Sequence, residues 1–230
     1  MDPGTTPEAV SIHAGAVKLH GLLRLPPNAI SVILFAHGSG SGRLSPRNTF
    51  VAERFQQARI ATLLLDLLTG KEEEIDAVTA ELRFNIPLLT ARLGAATEWT
   101  LQQQPLRGLA VAYFGASTGA AAALAAAAQM PEVTAVVSRG GRPDLAGPAL
   151  SQVRAPTLLI VGGNDRQVLA LNQDALRQLR CEKELAVVPG ATHLFVEPGA
   201  LEQVTTLATA WFTRHARPRR AASPAVTGAA

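Results

Sequence analysis

The segment Gly115-Ala116-Ser117-Thr118-Gly119 constrains this chain more than any other. It follows an apolar, strand-like run, 108–114 (GLAVAYF), and opens the alanine-rich run Thr118 to Gln129, which reads as a helix. The chain must therefore pass from strand to helix within a few residues. Such a reversal forces the central serine into a strained backbone conformation with its hydroxyl exposed. The flanking glycines are needed because a side chain there would meet the neighbouring strand or helix. A serine in this context is a candidate nucleophile. Small-residue turns of the same kind also serve as phosphate loops or as plain packing, so the pentapeptide alone leaves those readings open.

The rest of the chain alternates in the same way. Runs 17–25, 31–36, 60–68, 133–138, 156–161 and 184–188 read as strands. Helices are predicted from Pro46 (with Ser45 as cap) to about Arg59, from Asn85 to about Gln103, from about Gln167 to Leu179, and in a closing segment with Val204, Leu207, Ala208 and Trp211 on one face. The charge run Lys71 to Asp76 (KEEEID) reads as a solvated loop. This order predicts an α/β fold with a mostly parallel sheet, forming one domain over residues 10–216. With 47% apolar residues the chain can fill a core of that size. Residues 217–230 read as a disordered basic Pro/Ala-rich tail.

Charge excludes one class of partner. The formal charge is +3, but Arg214, Arg217, Arg219 and Arg220 fall in the last 17 residues, which contain no acid, and the remainder carries −1. The basic character belongs to the tail, so no nucleic-acid partner is predicted. No apolar run approaches the roughly 18 residues of a membrane span, and the N-terminus has no signal-peptide pattern. The single cysteine, Cys181, excludes an internal disulfide and a cysteine-based zinc cage, and its place at a helix-to-strand junction predicts an inert thiol. His13, His20 and His215 lack metal-ligand spacing. The expectation is a cytoplasmic protein, monomer or homodimer, with no cofactor and no metal.

A serine hydroxyl attacks only when a base takes its proton and an acid orients that base. After the strand ending at Val161 comes Gly162-Gly163-Asn164-Asp165, and after the strand ending at Val188 comes Pro189-Gly190-Ala191-Thr192-His193. Taken singly, Asp165 reads as a helix cap and His193 as an ordinary loop histidine. Taken together, Ser117, Asp165 and His193 each lie just beyond a different strand, which predicts a catalytic triad. The oxyanion hole would use the backbone N–H of Thr118 and that of Ser39, with Gly40 as the alternative, in the loop His37-Gly38-Ser39-Gly40-Ser41-Gly42. Glycines at 38, 40 and 42 do not give the dinucleotide spacing.

Through HGSGSG, GASTG, GGND and GATH, the chain resembles the α/β-hydrolase superfamily over residues 10–215, and within it the small dienelactone-hydrolase-like proteins. The resemblance implies a twisted, mostly parallel sheet with helices on both faces and a site at the strands' C-terminal ends. No lid-sized insertion follows Ser138. Dienelactone hydrolases use a cysteine nucleophile where this chain has Ser117. The expected activity is hydrolysis of small carboxylic esters through an acyl-enzyme. The alternatives are a thioesterase or lactonase with the same machinery, or a catalytically silent hydrolase fold that binds a ligand. Arg139, just after strand 133–138, is a candidate either for holding a substrate carboxylate or for a structural ion pair. Arg43 and Arg47, beside the oxyanion loop, are expected to be solvated, with contact to the substrate as the alternative.

Overall fold

The computed structural model describes residues 6–38 and 40–217. Eight strands form one sheet in the order β1-β2-β4-β3-β5-β6-β7-β8. They are β1 (Glu8–Ala14), β2 (Val17–Arg24), β3 (Ser31–Ala36), β4 (Ile60–Leu65), β5 (Ala110–Ala116), β6 (Val133–Arg139), β7 (Thr157–Gly162) and β8 (Lys183–Val188). Every pair from β4 to β8 is parallel; β2 runs antiparallel to both of its neighbours, β1 and β4. The predicted mostly parallel α/β sheet is thus observed. β3, β4, β5 and β7 are buried along their whole length, as their continuous apolar runs require of strands covered on both faces.

Six α-helices cover the two faces: α1 (Pro46–Gln57), α2 (Gly70–Thr79), α3 (Ile86–Gln102), α4 (Thr118–Gln129), α5 (Arg166–Gln178) and α6 (Ala200–His215). Leu89 and Leu93 of α3, the alanines of α4 and Ala175 of α5 build the core on one face. Val51 and Phe55 of α1 join Val204, Trp211 and Phe212 of α6 on the other. Residues 118–127 of α4 are all buried, and their small side chains let the helix lie against α3 and the sheet together. Between β6 and β7 there is only a 3-10 segment, Pro143–Gln152, and no lid domain.

Three sequence expectations are corrected. β1 was not foreseen, although Val10, Ser11, Ile12, His13 and Ala14 alternate apolar and polar; it begins at Glu8, and as an edge strand it fully buries only Ile12, with Val10 and Ala14 partly buried beside it. β4 stops at Leu65 instead of continuing to Leu68, and the chain turns away through Asp66 and Leu67. The charge run 71–76 is not a loop but part of α2. Its helical state is set at its start: the Thr69 hydroxyl accepts from the Glu72 N–H while the Glu72 carboxylate accepts from the Thr69 N–H, a capping box.

α2 buries no apolar residue and is held by ions. Arg92 of α3 donates both terminal nitrogens to Glu72, at 2.5 and 2.6 Å, and also meets the Leu67 carbonyl at 2.9 Å. Arg83 clamps Asp76 at 2.7 Å. The Arg92 hydrogen bonds pull the Glu72 carboxyl from 4.5 down to about 2, against the opposing effect of burial. A depressed carboxyl stabilises the fold above its unfolded pKa and loses that contribution as pH falls through the folded one. Glu72→Gln keeps a capping side chain but removes the charge. It should destabilise the protein at neutral pH by about 1.5–3 kcal/mol. The gap to the wild type should close as pH falls from about 4.5 to about 2 in parallel urea titrations. A gap independent of pH would exclude the ion pair as its source.

Candidate active site

The strand-to-helix reversal after β5 is as sharp as the sequence requires. Ser117 has φ 50° and ψ −125°, a strained conformation for a residue with a side chain. Three glycines make it possible. A Cβ on Gly119 would lie 2.1 Å from the Ala36 carbonyl oxygen and 2.4 Å from that of His37. One on Gly115 would lie 2.5 Å from the Ala120 Cα, and one on Gly38 would lie 2.6 Å from the Ser117 Cβ. The loop after β3 therefore passes directly against the serine. The Ser117 N–H reaches the Arg139 carbonyl at 3.4 Å, and its own carbonyl accepts from the Arg142 N–H at 3.0 Å.

The loops after β7 and β8 are zipped together by backbone. The Gly163 N–H donates to the Val188 carbonyl and the Asn164 N–H to the Ala191 carbonyl, both at 2.9 Å, and the Asn164 side chain adds the Gly190 carbonyl at 2.8 Å. This contact brings Asp165 Oδ2 within 2.6 Å of His193 Nδ1. Asp165 occupies the N-cap position of α5, yet its side chain caps nothing. The carboxylate is committed to the imidazole, so the cap reading is not the one its bonds follow. His193 faces Gly140, where a Cβ would stand 3.6 Å from Nδ1, and Gly140 directly follows Arg139, whose carbonyl takes the Ser117 N–H. The turn at Ser117 and the joined Asp165–His193 pair thus lie on loops at the C-terminal edge of the parallel strands β5, β7 and β8.

Thr118 opens α4 and is buried, and it borders a cavity of about 590 Å³ together with Gly38 and Gly40. Ser39, the expected second oxyanion donor, lies outside the described residues, as does the tail from Pro218. A residue the sequence reading did not single out, His37, secures this loop. The Leu67 N–H donates to its Nε2 at 3.1 Å, so Nδ1 carries the proton and donates to the Gly38 carbonyl at 2.9 Å. Burial lowers the His37 pKa and keeps the ring neutral. His37, Asp66 and Glu73 approach one another as metal ligands would, but both imidazole nitrogens of His37 are already engaged.

The cavity extends from Thr118 between the loop after β3 and α2, with Leu44, Leu68 and Leu89 on its apolar walls. Arg43, expected to be solvated, keeps 32% of its side chain exposed but is also paired: its backbone N–H donates to Asp66 Oδ1 at 2.7 Å and its guanidinium to Oδ2. Arg47 is half-buried and lines the cavity. Arg139 is 9% exposed and has no ion pair among the described residues, so the structural-pair reading finds no partner. Cys181, far from the site, is half-buried against Thr157, and burial raises its thiol pKa.

A parallel sheet with a serine on a glycine-bounded turn after its central strand, and an Asp–His pair on later loops, defines an α/β-hydrolase fold. The chain belongs to the dienelactone hydrolase family, whose sequence model matches residues 31–215. It is similar to a dienelactone hydrolase from Anabaena variabilis: 58% identity, TM-score 0.90, with 92% of this chain and 99% of that one covered. It is similar in fold to the esterase domain of a Rhodothermus marinus protein, at 20% identity and TM-score 0.73, covering 92% of this chain and 100% of that one. A Mycobacterium tuberculosis protein provisionally named a phosphoribosyl transferase is 54% identical over 215 residues, which are 93% of this chain and 48% of that protein. The chain spans about half the length of the curated relatives it matches. Among the described residues no helix is long and apolar enough to cross a membrane.

Proposed function

We propose that the protein is a serine hydrolase of small carboxylic esters, with Ser117 as nucleophile, His193 as base and Asp165 as its orienting acid. The observation that carries this reading is the 2.6 Å contact between Asp165 and His193 Nδ1, made by a carboxylate that leaves its own helix uncapped. A proton on Nδ1 leaves Nε2 free to accept the serine proton. Ser117 then attacks the ester carbonyl, and the N–H of Thr118 and a second N–H from the Ser39–Gly40 loop receive the oxyanion. The alcohol leaves with the proton held by His193. Water, deprotonated by the same imidazole, releases the acid from the acyl-enzyme.

The same steps would cleave a thioester or a lactone, and the machinery alone does not separate these from open-chain esters. A small-molecule substrate suits the cavity of about 590 Å³. The transferase name of the curated relatives belongs to proteins about twice as long; the turn at Ser117 and the Asp165–His193 pair support hydrolysis here. A fluorophosphonate probe should label the protein at Ser117, and prior incubation with a short-chain ester should slow the labelling. Across p-nitrophenyl esters, kcat/KM should be highest for short acyl chains, since no lid domain extends the pocket. Absence of labelling would favour the silent binding fold, and a preference for long chains would overturn the pocket reading.

A further inference from the structure

Most arginines near the site are matched to carboxylates: Arg43 and Arg83, which line the cavity, to Asp66 and Asp76, and Arg92, which does not line it, to Glu72. Two are not. Arg139 is 9% exposed, and its buried Nη1 has no hydrogen-bond partner. Its guanidinium carbon lies 5.9 Å from the centroid of the Phe114 ring. The Nε of Arg47 is likewise buried and unpartnered. The two guanidiniums are close enough to repel: burial first, and then the charge of Arg47, draws the Arg139 pKa down to about 10. Each of these arginines has a buried nitrogen without a partner and no ion pair among the described residues; such buried charges are strongly disfavoured, and the arrangement asks for an anion.

The backbone at this place points the same way. Arg47 stands in the first turn of α1, after Pro46. That turn contains no acidic residue, and Ser45 makes no side-chain cap. The first N–H groups of this 12-residue helix therefore have no side-chain cap, and its positive end falls at the residue that carries one of the two guanidiniums. The location is next to the proposed chemistry. The carbonyl of Arg139 accepts the Ser117 N–H, and Arg47 lines the same cavity as Gly38 and Thr118.

We propose that Arg47, Arg139 and the amino end of α1 form a subsite for the dianionic phosphate of a phosphomonoester, carried by the ester that Ser117 attacks. The substrate part of this inference rests on the hydrolase reading; the anion site does not. Two full charges and a helix terminus match a dianion, and the terminal oxygens of a phosphate can serve both guanidiniums and the helix N–H groups at once. A carboxylate would satisfy one guanidinium and leave the other charge unmatched.

The test separates the two parts. Inorganic phosphate is titrated into the full chain and into its Ser117→Ala variant at constant ionic strength, with acetate as the monoanion control. Binding is read by calorimetry and by Tm. Phosphate should bind and raise Tm in both proteins, and acetate should do neither. Arg47→Ala and Arg139→Met should each weaken phosphate binding roughly ten- to hundredfold, as loss of a charge-assisted pair does. Arg139→Met should also raise Tm in phosphate-free buffer, because it removes a buried unmatched charge. No phosphate-dependent shift, or equal binding by wild type and Arg139→Met, would overturn the anion site. The acetyl ester of glycerol phosphate should be hydrolysed with a kcat/KM at least tenfold above that of acetyl glycerol. Phosphate binding with equal turnover of the two esters would overturn the substrate assignment alone. Loss of the hydrolase reading would instead appear as no turnover of either ester, with phosphate binding intact.

Discussion

Ser117→Ala is expected to lower kcat for a short-chain ester about 10⁶-fold, as loss of the nucleophile does where a triad acts as a unit. The residual rate would come from binding and oxyanion donors alone. KM should change little, since the hydroxyl contributes to the reaction more than to ground-state contacts. Folding should persist, because alanine fits the space of serine and its neighbours are backbone. A companion variant sharpens the result. Ser117 holds φ 50°, a region that glycine enters freely. Ser117→Gly should therefore be equally inactive but more stable, by about 1 kcal/mol. Steady-state kinetics with purified protein and thermal melts check both. Turnover within a hundredfold of wild type would remove Ser117 from the mechanism.

Asp165→Asn is expected to lower kcat about 10⁴-fold with the structure intact. The amide can offer an N–H to His193 Nδ1 where the carboxylate only accepts. It then stabilises the opposite tautomer, with the proton on Nε2 facing the serine. A neutral amide also cannot balance the imidazolium that forms during attack. Stability should hardly change, because the Asp165 side chain makes no cap hydrogen bond to α5. Equal loss of kcat and Tm would mark Asp165 as structural. Near-normal turnover would transfer its role to another carboxylate.

The candidate triad was legible because each member sits on the loop after an apolar, strand-like run, buried in β5 and β7 and largely exposed in the edge strand β8. β5, β7 and β8 were readable from their composition, and parallel strands deliver their C-terminal loops to one edge. What escaped was whatever depends on distant residues. α2 has no apolar stripe, and Arg92 holds it from 20 positions away. The one local signal, Thr69 with Glu72 three residues on, is a capping box that the charge run obscured. Arg43 and Asp66 are 23 positions apart, so their pairing belongs to the fold. β1 fully buries one side chain, and its alternation of Val10, Ile12 and Ala14 is a short local signal that was passed over. The unmatched state of Arg139 is a property of its surroundings, which no local pattern records.

The glycines that press on Ser117 bear on how this enzyme could diversify. At Gly119 the obstructing atoms are the carbonyl oxygens of Ala36 and His37, and at Gly115 they are backbone atoms of Gly119 and Ala120. Backbone cannot be trimmed by point substitution, so the reactive centre is insulated from drift in neighbouring side chains. Freedom to change lies elsewhere. The cavity walls are supplied by the chain after β3 and by α2, which is tied down through ion pairs rather than a shared core. Inheritance of new substrate preferences should accordingly proceed by exchange of those wall segments, while the turn that carries the serine descends unchanged.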